Sequence, residues 1–432
     1  MTALYMLLAT PTACTAQTPA QGGKAAADLH FGEAISIAGN AALVGSPYGA
    51  DGQSAGLAYV FNRTSDGWNQ TATLLALGGK GGNRFGSALA VADGIALVGA
   101  SGTDGVAPLS GSAFVFERGP TVWRQVTALV NPDARERHLF GYSVALDANT
   151  AVVGAPGVNM KLWSDTSKTI PAWSGAVYIW SKDESGWRYQ GRITPDSLDS
   201  TSNSSTQPGP YHLFESFGRA VALHNDILVV SAHNETTAPG KVYVFRRRNN
   251  SWKQEVELQQ QRESFGIAVA AAARTIAIAS SGLVFVYTDT GGSWKLDAMI
   301  EPRVAGEVSG FQYGGPLSLD GNRMVVGAIR YRKRKGAVHL FERVGSNWNQ
   351  VATITGDDTS SDSLSGNRVG DLFGGSVSIQ GDTILAGASY HDSEGPNFGA
   401  AYVFERERSR WIQKYKLVAP PPTQPRGNIK AQ

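Results

Sequence analysis

Apolar positions along this chain fall in short runs broken by glycine, aspartate, asparagine and serine, the signature of strands joined by turns. The clearest stretch is Arg84 to Ala100, RFGSALAVADGIALVGA. It reads as a Phe-Gly start, an apolar strand, an Asp-Gly turn and a second apolar strand ending in Gly-Ala. Imperfect copies recur along the chain, and a recurring supersecondary unit fixes the architecture. The Phe-Gly pair returns at Phe31, Phe85, Phe140, Phe217, Phe265 and Phe373, with Tyr313-Gly314 as a substituted copy. Fourteen residues after each aromatic stands a small pair, from Gly45-Ser46 and Gly99-Ala100 to Gly387-Ala388.

A third strand follows, AYVF in the first copy, ending at Phe61, Phe116, Trp180, Phe245, Tyr287, Phe341 and Phe404. Seven residues later comes a tryptophan: Trp68, Trp123, Trp187, Trp252, Trp294, Trp348 and Trp411. Each opens a fourth strand such as WRQVTALV. Four antiparallel strands repeated seven times predict an all-β fold, a seven-bladed β-propeller of four-stranded antiparallel blades. Alanine, serine and glycine in the first two strands suit a crowded axis, and aromatics in the last two suit the wider gap outside. Strands more apolar than simple alternation fit blades covered on both faces. Blades start near 31, 85, 140, 217, 265, 313 and 373, within a propeller domain at 28–418 made of consecutive strands. Residues 1–27 read as a leader or linker and 419–432 as a Pro-rich tail.

Other spacings vary. From the small pair to the end of the third strand the distance runs from 8 to 26 residues, and from each tryptophan to the next aromatic from 13 to 30. In a meander these two connections leave from one face, while the constant turns lie on the other. The variable face is therefore where binding is expected.

Composition adds exclusions. Lys and Arg number 38 against 36 Asp and Glu, so no global charge draws the chain to nucleic acid or membrane. No apolar run approaches the roughly 20 residues of a transmembrane span. LYMLLAT is apolar, but no basic residue precedes it as an export signal requires, and Ala13-Cys14 only faintly resembles a lipoprotein cleavage site. Cys14 is the single cysteine, so the body has no disulfide. Asn62, Asn69, Asn203, Asn234 and Asn249 lie in glycosylation sequons that matter only for secretion from a eukaryote.

The Phe-Gly starts, with Val-Gly-Ala-Pro at Val153 to Pro156, resemble the FG-GAP repeat of integrin α subunits and bacterial surface proteins. The resemblance covers about residues 28–418. It implies an extracellular, periplasmic or cell-surface propeller acting in adhesion or ligand recognition. Integrin-type repeats often insert a calcium loop, DxDxDGxxD, between the first two strands. Here that connection is a tight turn in every copy, such as Asp93-Gly94, too short to wrap calcium with six to eight oxygens. No metal and no cofactor is expected.

Candidate chemistry is sparse. Gly52 to Gly56 matches GxSxG, but that motif needs a strand-to-helix turn, which an all-β hairpin does not offer. The histidines lack metal-ligand spacing; His224 and His339 fall in strands, whereas His233 and His391 are assigned to loops, touching ligand or solvent. Arg330 to Lys335, RYRKRK, places five cations around Tyr331 on the variable face, where they either bind an anion or are simply solvated. Trp163, Asp165 and Trp173 lie in the longest loop, where indoles beside carboxylates suit sugar or peptide binding unless the loop buries them.

The candidate ligand-binding set is Tyr48, Asp51, Asp104, Trp163, Asp165, Trp173, Tyr331, Arg332, Arg334, Tyr390 and His391. The leading expectation is a monomeric, non-enzymatic propeller that recognises a protein or glycan, with no specific nucleic-acid partner. The alternatives are a propeller hydrolase acting on carbohydrate or phospholipid, and a purely structural module of a surface protein.

Overall fold

The computed structural model describes residues 28–48, 55–77, 82–120, 122–157, 173–195, 215–233, 239–301, 315–361 and 370–420. Within them the chain is all-β but for one turn of helix. The first run of four strands is Ile35–Ala38, Ala41–Ser46, Leu57–Thr64 and Gly67–Leu74. The second is Ala88–Ala92, Ile95–Ala100, Ser112–Arg118 and Trp123–Leu129, and the third Ser143–Asp147, Thr150–Ala155, Trp173–Asp183 and Gly186–Ile193. Then come Glu215–His224, Ile227–His233, Pro239–Arg248 and Ser251–Glu263, followed by Ala268–Ala272, Thr275–Ser280, Leu283–Asp289 and Trp294–Ile300. The last two runs are Leu317–Asp320, Arg323–Gly327, Val338–Val344, Asn347–Ile354 and Ser376–Gln380, Thr383–Ala388, Ala400–Glu407, Arg410–Leu417.

Within each run, strands pair antiparallel in sequence order. Five runs are separate four-stranded sheets. The third and fourth share an eight-stranded sheet through a short parallel pairing of Trp173–Gly175 with Glu215–Phe217. Elsewhere the same contact is a single parallel bridge: Gly111 to Phe140, Gly336 to Phe373 and, between the last run and the first, Gly399 to Phe31.

The first two strands of every run meet across a two-residue turn; Ala92 faces Ile95 and His224 faces Ile227. At Asp93-Gly94 both residues have positive φ (47° and 76°), the type I′ geometry that follows the right-handed strand twist. The turn is then tied down from the third strand. Arg63 N donates to Asn40 O at 2.8 Å, Arg118 N to Gly94 O at 2.8 Å and Arg406 N to Asp382 O at 2.9 Å. Third and fourth strands also share a bulge at one repeated place, between Val60 and Phe61 and between Val403 and Phe404, which raises the local twist.

The repeat motif forms the contact between neighbouring runs. Gly86 has φ 90°, and a Cβ there would lie 2.4 Å from Leu57 O of the preceding run. The second-strand glycine meets its successor likewise: a Cβ on Gly45 would lie 2.0 Å from Gly86 O, and one on Gly99 2.1 Å from Gly141 O. Only glycine permits this approach. Phe31, Phe85, Phe140, Phe265 and Phe373 are fully buried. Phe31 meets Phe61 edge-on at 6.2 Å and packs in one cluster with Leu385 and Val403 of the last run. Burial of each such ring contributes about 2–3 kcal/mol.

Length variation is confined to one set of strand ends. Ser280 and Leu283 bound one second-to-third connection, Ala155 and Trp173 another. Two expectations need correction. His233 ends a strand and is 3% exposed, and His391 is 7% exposed, so neither is a solvated loop histidine. His233 closes the second strand of its run, and His391 follows three residues after the end of another. Among the described residues no helix is long and apolar enough to cross a membrane.

Candidate functional site

Five of the Phe-Gly aromatics are preceded by a left-handed residue, His30 (φ 50°), Arg84 (53°), Leu139 (55°), Ser264 (58°) and Leu372 (53°), whereas Ser216 before Phe217 continues a strand. This kink delivers the side chain before the motif to the loop-bearing end of the sheets. In the first two runs it carries an imidazole and a guanidinium. The His30 ring lies 4.8 Å from that of Tyr48 and meets Tyr390 edge-on at 4.6 Å. Arg84 reaches the same tyrosine: its guanidinium is 5.7 Å from the Tyr48 ring centroid and pairs with Glu33 at 3.2 Å. Tyr48 is 40% exposed.

Burial is the main influence on the ionisable members. It lowers the His30 pKa against the opposing pull of Asp28, with Arg84 adding to the depression. The ring is therefore neutral at pH 7 and donates or accepts without charge. Burial raises the Glu33 pKa, and Arg84 opposes it.

The next residue, His391, opens a second cluster. Its Nε2 is 3.6 Å from Asp358 Oδ2 and 3.8 Å from Asp371 Oδ2. These are not ion pairs at neutral pH, because burial and then Lys416 hold the His391 pKa below its ordinary value. Asp358 accepts from Lys416 Nζ at 2.5 Å and from Tyr402 Oη at 2.7 Å. Burial opposes its ionisation, yet those bonds keep its pKa below the usual range. Asp371 is 3% exposed and accepts from Ser360 N at 2.6 Å. Burial, assisted by Asp392 and Asp358, pushes its pKa up to about 6.

The third run builds a relative of this cluster. There Tyr178 Oη reaches Asp133 at 3.4 Å, Arg192 pairs with Asp133 at 3.1 Å, and buried His138 stands where Asp371 does, two residues before the aromatic. A polar plug under the fourth-to-first connection is thus a framework habit. His391 distinguishes the last run. His391 Nδ1 and Arg84 Nε are buried without a hydrogen-bond partner among the described residues.

The loop carrying Tyr390 and His391 is braced against the first run. Gly399 N donates to His391 O at 2.8 Å, Asn397 N to Asp392 Oδ1 at 2.8 Å, and Asn397 Nδ2 to Asp28 Oδ1 at 2.7 Å. An exposed Tyr48 and a half-buried Tyr390 around a neutral imidazole, flanked by a guanidinium–carboxylate pair, can contact a sugar or aromatic face and hydrogen-bond its rim.

Of the residues picked from sequence, Tyr48, Tyr390 and His391 converge here. Asp104 does not; its carboxylate accepts from Leu109 N at 2.9 Å and shapes its own loop. Asp392 performs the same task in the last run. Tyr331, Arg332 and Arg334 form a separate turn beside the Asp371 segment, where Arg334 O accepts from Leu372 N at 3.2 Å. Trp173 lies in a strand, paired with Glu215. Asp51, Trp163 and Asp165 lie outside the described residues, as do Gly52 to Ser54 of the GxSxG match and the Tyr313-Gly314 copy. His30, Glu33, Arg84, Asp358, Asp371 and Lys416 were missed. For His30 and Arg84 the available signal was an imidazole or guanidinium immediately before Phe-Gly, where other copies have Leu139, Ser216, Ser264 and Leu372; Asp358 and Lys416 lie away from the motif and carried no such signal.

Comparison with known proteins gives one family. The profile of the FG-GAP repeat matches residues 23–61, 68–116, 123–180, 214–245 and 348–404. Each match ends on the last aromatic of a third strand. No curated protein matches the chain. Among solved structures, the crystal structure of Saccharomyces cerevisiae Sqt1 is similar at 11% identity, covering 91% of this chain and 86% of that one, with a TM-score of 0.47.

Proposed function

The chain belongs to the FG-GAP repeat family, and from that premise we propose that its sheets close into a seven-bladed β-propeller that recognises a protein or glycan outside the cytoplasm. Propeller closure is supported by the Gly399–Phe31 bridge and by Ser376 Oγ donating to Gly32 O at 2.6 Å, contacts that repeat those between interior runs. The family's frequent occurrence in extracellular proteins supports the location. The observation that carries recognition is the convergence of Tyr48, His30, Tyr390 and Arg84, drawn from three runs, at the end of the sheets where connection lengths vary.

The reading is of a binding module without catalysis. It is tested by probing residues 28–418 on arrays of glycans and surface proteins, then repeating any hit with Tyr48→Ala and Tyr390→Ala. Loss of roughly tenfold or more in affinity is expected from either change, the scale of an aromatic hot spot. A hit indifferent to both changes would reject this site.

A second reading, hydrolysis of a carbohydrate or phospholipid ester, is favoured by one observation. Asp358 and Asp371 flank His391 with pKa values displaced in opposite directions, the pattern of a base and an acid. Turnover of chromogenic substrates abolished by Asp358→Asn would establish it.

A further inference from the structure

The basic turn of the sixth run, Arg330 to Lys335, is not used by the aromatic seam. Arg330, Arg332, Lys333 and Arg334 are exposed. Among the described residues, Arg332, Lys333 and Arg334 make no ion pair. Three consecutive side chains also occupy the left-handed region: Arg332 at φ 44°, Lys333 at 58° and Arg334 at 73°. Each such residue costs on the order of 1 kcal/mol relative to glycine. Glycine or asparagine would satisfy the backbone more cheaply, so cations occupy positions where conformation disfavours them.

The turn is nevertheless held in one shape. Tyr331 N donates to Ala328 O at 3.1 Å and Gly336 N to Tyr331 O at 3.1 Å. Arg334 O and Lys335 O each accept a neighbouring amide, from Leu372 and Phe373, both at 3.2 Å. A rigid display of unpaired cations lowers the ordering cost of binding a polyanion.

We propose that this turn is a docking site for a sulfated polysaccharide, distinct from the aromatic seam. The choice of polyanion rests on the aromatic chemistry. Single-stranded nucleic acid is held by bases stacking on open rings. The Tyr331 ring is half-buried and already engaged: Arg332 lies 5.2 Å from its centroid, buried His339 meets it edge-on at 6.2 Å, and it packs against the apolar cluster of the fifth and sixth runs. The turn therefore offers closely spaced charge rather than an open ring. Sulfate groups along a sugar chain use that charge without stacking. The extracytoplasmic setting, where such chains occur, is carried over from the proposed function.

The test uses the full chain and fluorescein-labelled heparin in an anisotropy titration at low and physiological salt. Chemically desulfated heparin and single-stranded DNA serve as competitors. Wild-type protein is expected to bind heparin with strong salt dependence, and desulfated heparin is expected not to compete. Arg332→Gly/Lys333→Gly/Arg334→Gly should weaken binding at least about tenfold and flatten the salt dependence, since fewer counterions are released. Its melting temperature should stay level or rise, because glycine relieves the backbone. The Tyr48→Ala/Tyr390→Ala variant should bind heparin as the wild type does. The proposal is overturned if wild type fails to bind, or if the triple-glycine variant binds equally well. It is also overturned if the tyrosine variant loses heparin, which would mean one shared surface, or if DNA competes as strongly as heparin, which would assign the turn to nucleic acid.

Discussion

Gly387 stands so close to the Gly32 carbonyl that a Cβ on it would lie 2.1 Å from that oxygen, although the two residues belong to the last and first runs. The same distance separates a Cβ on Gly154 from Gly218 O, between interior runs. The contact is backbone against backbone, so no side chain can rotate away to relieve a substitution.

Gly387→Ala and Gly86→Ala are therefore each expected to cost about 2–4 kcal/mol, combining overpacking with lost positive-φ freedom at Gly86. Gly39, also at positive φ (57°), has nothing within 4 Å of a built Cβ. Gly39→Ala should cost only about 1 kcal/mol. Urea unfolding of the three variants checks the ranking, and equal losses would show that the close approach is not what matters.

Removal of divalent cations should leave stability unchanged. Ala38 faces Ala41 and Gln380 faces Thr383 across turns of two residues, too short to surround calcium. A melting curve with and without EDTA decides the matter; a drop of several degrees would reveal a metal site elsewhere.

Arg246 collects three carboxylates: Glu255 at 2.7 Å, Asp289 at 2.9 Å and Asp226 at 3.2 Å, with its side chain 16% exposed. Arg246→Met should destabilise by roughly 2 kcal/mol, because like charges lose their common partner in a half-desolvated place. High salt should recover part of that loss. If Arg246→Met unfolds at the wild-type denaturant midpoint, the network has no net worth.

Two buried groups should tilt stability against pH in opposite senses. Asp371 has a folded pKa of about 6, above the unfolded value, so the native state holds a proton between about pH 4 and 6 that the unfolded chain has released. Its contribution is greatest at low pH and is lost as pH rises through about 6. Asp371→Asn should thus stabilise the protein at pH 7 by roughly 2 kcal/mol and change little at pH 4. His339, 1% exposed, has its pKa lowered by burial to about 4. The unfolded chain protonates first, so stability falls as pH drops from about 6.5 toward 4. His339→Phe should flatten that fall, and Phe114 and Phe285 occupy the matching place in other runs. Denaturant midpoints of both variants from pH 4 to 8 test the signs.

The strand plan was legible because it rests on local chemistry. Fixed spacings and two-residue turns follow from neighbours in sequence, and the meanders appeared where the Phe-Gly and tryptophan positions put them. The contact between Gly45 and Gly86 was not legible, since a missing side chain does not name its neighbour. Nor was the third glycine, as at Gly111 and Gly399, which carries the bridge to the next run. The functional end was read less well. Tyr48 and Tyr390 were picked one by one as loop residues, but His30 lies between them, and its kinked backbone becomes visible only once the following run is in place. Asp104 shows the difficulty, since a carboxylate tying its own loop has the same sequence signature as one awaiting a ligand.

The bridge between Gly399 and Phe31 carries a consequence for covalent order. It is the bridge found between Gly111 and Phe140, which the chain makes without any change of terminus. If the sheets close as proposed, the junction of last and first runs needs no special lock, and a backbone break there is equivalent to one at a tight hairpin. A circular permutant opened at Gly381-Asp382, with its former ends tethered, would present every neighbour to every other unchanged.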